Sequence, residues 1–164
     1  MSMNEEQLIK RDRMRFTKNT LSSGLALLAI LFNIFYFVSI YKSDVGSYYY
    51  NIIIGASILY NLLFMLIVFL SSEGVKGYKM NYAYALLVIG ALQIVRVFIL
   101  PMRAHTTMVT VNQQEILVMG TAQFLRVTVY LCCSAVCCVT AGIIGILKSR
   151  ALNAHLASLN SEAA

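Results

Sequence analysis

Four charged or amide side chains stand deep inside long apolar runs, and they have the strongest claim to chemistry in this chain of 164 residues. Arg96 comes three positions after Gln93, so the two share one face of a helix. Asn33 and Asn61 interrupt two earlier runs. Charged and amide groups in apolar surroundings are costly, and they mark ligand, ion or partner contacts. An arginine in such a place works by its charge and its fork of N–H donors. The fitting targets are an anionic small molecule, a lipid phosphate or an acid on another protein.

The plainer role for Arg96 is structural. It stands about one helical turn before Pro101, so its long side chain can snorkel to an outer headgroup layer or bond neighbouring helices. Arg103 and Arg126 lie beyond the apolar runs and are expected to flank the same outer surface. Isolated amides serve more often as interhelical glue than as a substrate site. The candidate ligand- or partner-binding set is therefore Asn33, Asn61, Gln93, Arg96, Arg103 and Arg126.

The four cysteines form two adjacent pairs, Cys132-Cys133 and Cys137-Cys138. A soft-metal site, a redox pair and palmitoylation are the sharp readings. The four-helix quinone-linked thiol oxidases use a Cys-x-x-Cys spacing that is absent here. Cys138 precedes Lys148 by about 15 Å of helix, too deep for a surface acyl-transfer site. Packing accounts for the pattern better. Cys133, Cys137, Ala141, Gly145 and Ser149 form a row of small residues at four-residue spacing, beside a second row of Ser134, Cys138 and Gly142. Such rows let helices approach closely in lipid.

No Ser/His/Asp set, paired carboxylates or phosphate-binding glycine loop can be assembled. His105 and His155 have no partner at ligand spacing and read as ordinary exposed histidines. No metal site, no cofactor and no catalytic residue is expected; the chain reads as non-enzymatic.

The elements that must position these residues are four apolar runs: 20–41, 49–70, 82–100 and 127–147. At 1.5 Å per residue each covers about 28 to 33 Å, the thickness of a bilayer's hydrocarbon core. Backbone polar groups in lipid must be satisfied within the segment, so the runs are predicted to be helices. The first run is too long for the core of a signal peptide and reads as a retained helix. Composition agrees: 59% hydrophobic and 12% charged residues exclude an ordinary soluble domain. The fold class is an all-α, four-helix transmembrane bundle. Its layout resembles that of tetraspanins and of the myelin-and-lymphocyte type of membrane protein, without the tetraspanin Cys-Cys-Gly. Small four-helix multidrug exporters need an acid in the first helix, and this first run has none.

Counting from the middle of each run, Asn33 lies about 4 Å toward one side, called outer here, and Asn61 about 2 Å toward the other. Gln93 and Arg96 lie about 3 and about 7 Å outward. The four form one layer, displaced slightly outward. None of the seven carboxylates falls within the runs.

Lys10, Arg11, Arg13, Arg15, Lys18, Lys76, Lys79, Lys148 and Arg150 fall on one side, against Lys42, Arg103 and Arg126 on the other. The positive-inside rule then places both termini in the cytoplasm. Residues 1–19 read as a basic amphipathic cytoplasmic segment with a capping-box start at Ser2 and Glu5, and 148–164 as a cytoplasmic tail that can prolong the fourth helix. Residues 42–48 are a tight outer hairpin ending in an aromatic anchor, Tyr48-Tyr49-Tyr50. Gly74 and Gly77 are expected to stop the second helix, with Tyr78, Tyr82 and Tyr84 as the inner aromatic belt. For 101–126 two readings stay open, a hairpin turning at Asn112-Gln113-Gln114 or an early fourth helix from near Gln114.

The net charge of +6 is spread between runs and at the ends, so it points to anionic lipid headgroups rather than nucleic acid. The favoured expectation is an accessory or interaction subunit of a membrane assembly, partnered by another membrane protein or a second copy. The alternative is a binder or carrier of an anionic lipid or small molecule. Minimal loops without a glycosylation acceptor point to a bacterial plasma membrane.

Overall fold

The computed structural model describes residues 18–40, 48–111 and 114–162, giving the backbone alone for 48–54, 109, 111, 114, 116 and 159–162. The chain runs α1 (Thr20–Ile40), α2 (Tyr48–Lys76), α3 (Met80–Ile99), α4 (Pro101–Thr106), β1 (Met108–Val111), β2 (Gln114–Leu117) and α5 (Thr121–Glu162). Four of the helices are long and apolar enough to cross a membrane, so the protein is a membrane-embedded four-helix bundle. The N-terminal capping box, the outer hairpin at 42–47, the side chains of the Tyr48–Tyr50 anchor and the Asn112-Gln113 turn lie outside the described residues.

Along α1 the inward face is mostly polar and small and the outward face leucine-rich. The inner stripe of α1 is Ser22, Ser23, Ala26, Ala29, Asn33, Tyr36 and Ile40, repeating every three or four residues. Its outward positions are Leu27, Leu31, Phe35 and Val38, all exposed. Lipid is as apolar as leucine, so helices gain little by burying it against one another. They gain from close packing and interhelical hydrogen bonds. α5 packs extensively against α1 and α3, while among consecutive spans α2 and α3 share the sparsest contact.

Small residues set the tight contacts. A Cβ added to Gly142 would stand 2.9 Å from the Ala83 carbonyl oxygen, and one added to Gly90 would stand 2.7 Å from a Val139 methyl. Cys137, Cys138, Ala141, Gly142, Gly145 and Ser149 of the two rows are buried, whereas Cys133 is half-buried and Cys132 exposed. At the inner end the Ser23 and Ser72 hydroxyls lie 2.8 Å apart, Ser22 donates to the Ala141 carbonyl, and Ser149 donates to the Tyr78 carbonyl at 3.0 Å.

Several boundaries differ from expectation, each for a local reason. α2 passes through Gly74, where the Tyr82 ring occupies the space of a Cβ, and ends after Lys76. The turn is closed by Lys79 N–H to Gly74 O and Tyr78 N–H to Val75 O, and its left-handed residue is Tyr78 (φ 59°) rather than a glycine. The next helix, α3, stops at Ile99 with Leu100 as its cap, immediately before Pro101, whose ring cannot continue it. The same proline opens α4 from the first-turn position, where its missing N–H costs nothing. The 101–126 connection is α4, then a hairpin pairing Met108 with Leu117 and Val111 with Gln114, then the start of α5. The fourth span thus begins at Thr121, earlier than 127 and later than Gln114. It continues for 42 residues, about 63 Å, so the tail does prolong it.

The hairpin base seals the outer end. Met119, 1% exposed, joins Tyr36, Ile40, Leu100, Ala104, Val127 and Leu131 in an outer core cluster. His105 stacks on Phe124 at 4.6 Å with its Nδ1 3.1 Å from the Met119 carbonyl, so it is a half-buried packing residue rather than an exposed one. His155, on the α5 extension, is likewise half-buried.

Candidate functional site

Each of the first three spans carries polar or aromatic residues one turn apart. On α1 these are Asn33 and Tyr36, on α2 Ser57, Tyr60 and Asn61, and on α3 Gln93 and Arg96. A spacing of three or four places each set on one helix face. The packing of α1, α2, α3 and α5 brings these faces together.

Arg96 turns inward rather than toward the outer surface, and its side chain is 5% exposed. Its Nη1 donates to Asn33 Oδ1 at 3.3 Å and its Nη2 to Ser57 Oγ at 3.0 Å. The guanidinium lies between two aromatic rings, 4.3 Å from the Tyr36 centroid and 4.7 Å from that of Tyr60. Gln93 Nε2 donates to the same Asn33 oxygen at 3.2 Å and to Ser134 Oγ at 3.3 Å, and Ser134 donates to the Ala29 carbonyl at 2.9 Å. Asn33 is the hub, since one amide oxygen accepts from two helical neighbours. Hydrogen bonds and cation–π contacts of this kind strengthen where water is scarce.

Asn61 behaves differently. The Ser23–Ser72 contact sets the antiparallel register of α1 and α2, and ten residues further along it brings Asn33 level with position 62. Asn61 is therefore at the height of the cluster and fully buried, yet its amide nitrogen and oxygen make no hydrogen bond among the described residues. Arg103 on α4 and Arg126 on α5 are exposed, and neither lines the cleft at Arg96. The structure thus joins three of the six expected residues directly and leaves Asn61, Arg103 and Arg126 apart.

Ser57, Tyr36, Tyr60 and Ser134 were not anticipated as members. The signal for the first three was the one-turn spacing of polar and aromatic residues. Ser134 stood in a row of small residues and carried no signal beyond packing.

Beside the cluster, between α2 and α3, lies a cleft of about 280 Å³. Ser57, Tyr60 and Arg96 stand at its inner edge and Leu92, Val95 and Ile99 form its walls, and nearly all of the surface that faces the space is apolar. Those three side chains are 47–52% exposed at span height, so the mouth of the cleft faces lipid. The arrangement holds a positive charge at the edge of an apolar, laterally open space. A guanidinium so placed can attract a negative group. Comparison of the chain with protein-family models, with curated proteins and with solved structures gives no match, so what can be said of its chemistry comes from these residues.

Proposed function

We propose that this chain is a multi-pass membrane protein, in the plasma membrane with both termini cytoplasmic, that binds or carries an anionic lipid or small molecule without catalysing a reaction on it. One observation carries this reading: Arg96, the one charged residue buried among the described residues of the bundle, borders a cleft open to lipid. A snorkelling arginine would present its charge to the headgroups, and this one is held inside the bundle at the edge of the α2–α3 gap. Asn33, Ser57 and the two tyrosine rings hold the guanidinium in place before a ligand arrives, which lowers the entropy lost on binding.

The test is mass spectrometry of the intact protein released from mild detergent. Wild type is expected to retain an anionic amphiphile that Arg96→Gln loses. Equal retention in both would count against the reading.

A role as an accessory subunit is supported by a different observation. α5 runs about 15 residues past Leu147, and Leu156 on that extension is 48% exposed. The same preparation tests it, because a partner protein should co-purify with wild type and be lost in Leu156→Glu. A chain that purifies alone contradicts the accessory role and leaves ligand binding standing.

A further inference from the structure

The depth and shape of the cleft narrow the ligand class. Asn33 lies seven residues, about 10 Å, below the outer end of α1, and Ser57 nine residues, about 13 Å, below that of α2. The guanidinium they hold is therefore roughly 10 Å inside the outer ends of these helices, within the apolar spans. A two-chain phospholipid anchors its phosphate outside the apolar layer. A phosphodiester also remains charged throughout, and drawing it into hydrocarbon carries the full cost of desolvating an ion. A carboxylic acid differs, because it crosses the apolar layer as the neutral acid and ionises only beside an opposite charge. The cleft is also at the small end of the range for ligand sites, which fits one hydrocarbon chain and not two.

We infer that the cleft between α2 and α3 takes a single-chain amphiphile with a carboxylate head, a fatty-acid-like anion, entering sideways from the outer leaflet. The carboxylate meets Arg96 beside Ser57, and the chain lies along Leu92, Val95 and Ile99. Tyr36 and Tyr60 flank the guanidinium and limit its swing toward the headgroups, so the charge stays at the depth where a retractable head is required. This rests on the anion-binding reading proposed above.

The experiment measures binding of labelled oleate to the full chain in phosphatidylcholine nanodiscs. Oleyl alcohol and phosphatidylglycerol serve as competitors, and empty nanodiscs give the partition background. Saturable binding above background is expected. Unlabelled oleate should displace the label, and oleyl alcohol or phosphatidylglycerol at the same mole fraction should do so at least tenfold less well. Arg96→Gln and, separately, Leu92→Trp are each expected to weaken binding at least tenfold. Leu92 is half-exposed on the cleft wall, so its tryptophan blocks the cleft without entering the core, and this arm stands if Arg96→Gln fails to fold. Displacement by phosphatidylglycerol as effective as by oleate would overturn the single-chain carboxylate while leaving an Arg96 anion site. Oleate binding that is unchanged in both variants would overturn the inference and the underlying reading together.

Discussion

α3 makes two interfaces of opposite character. Toward α5 it presents Ala83 and Gly90, and the helices approach until an added Cβ at Gly142 or Gly90 would collide with backbone or side chain. Toward α2 it presents Arg96 among larger apolar residues, and a cleft is left. One helix thus carries a closed seam and an open one. Small residues close an interface in lipid because shape fit and short polar contacts supply the attraction there. A bulky, charged side chain holds its neighbour away and needs partners for its donors. Stability and recognition are divided between the two seams.

The closed seam should be the more fragile. Gly142→Leu drives a side chain against the Ala83 carbonyl and Leu87, and is expected to destabilise the bundle by about 3 kcal/mol, read as a lowered thermal midpoint in detergent. The open seam's substitution Leu92→Trp should leave that midpoint nearly unchanged. Equal losses would erase the distinction. Next in size is Asn33→Leu, which strips one acceptor from both Gln93 and Arg96 and should cost about 2–3 kcal/mol, since one of the abandoned donors is charged.

Changing all four cysteines to alanine removes small buried groups from α5. It should cost less than about 1.5 kcal/mol at each buried site and leave ligand retention intact. A lost ligand would assign the thiols a chemical role. Ser23→Ala, which breaks the Ser72 contact at the inner end, should cost about 0.6 kcal/mol. Asn61→Leu is expected to be neutral or slightly stabilising, because it removes a buried amide without hydrogen bonds to lose. If Asn61→Leu and Asn33→Leu were equally costly, Asn61 would belong to the cluster after all.

The four spans were legible because a bilayer imposes length and apolarity on any helix that crosses it. Their ends were less so. A 19- to 22-residue apolar window marks where lipid begins, and helix geometry persists past it into Lys76 and along the α5 extension, where backbone hydrogen bonding needs no apolar side chains. Pro101 stops α3 as its chemistry requires and, from the first-turn position, also starts α4, which apolarity alone did not mark. For the site, Gln93 and Arg96 announced a shared face by spacing, but composition cannot tell an arginine that snorkels from one that turns inward. That choice depends on Tyr36 and Tyr60, which arrive from two other helices. The cleft was invisible for the same reason, since it exists only where α2 and α3 fail to close.

The central claim is that the charge of Arg96 draws an anion into the lipid-facing cleft. The chain contains no tryptophan, so Val88→Trp places a single reporter on the lipid-facing side of α3, one turn from Leu92 and outside the cleft lining. The fluorescence of that tryptophan in phosphatidylcholine membranes is titrated with a chain-brominated fatty acid, in the presence and absence of Arg96→Gln. Saturable quenching that becomes merely proportional to membrane concentration once Arg96 is replaced is the predicted result. Identical quenching curves with and without Arg96 would contradict the claim.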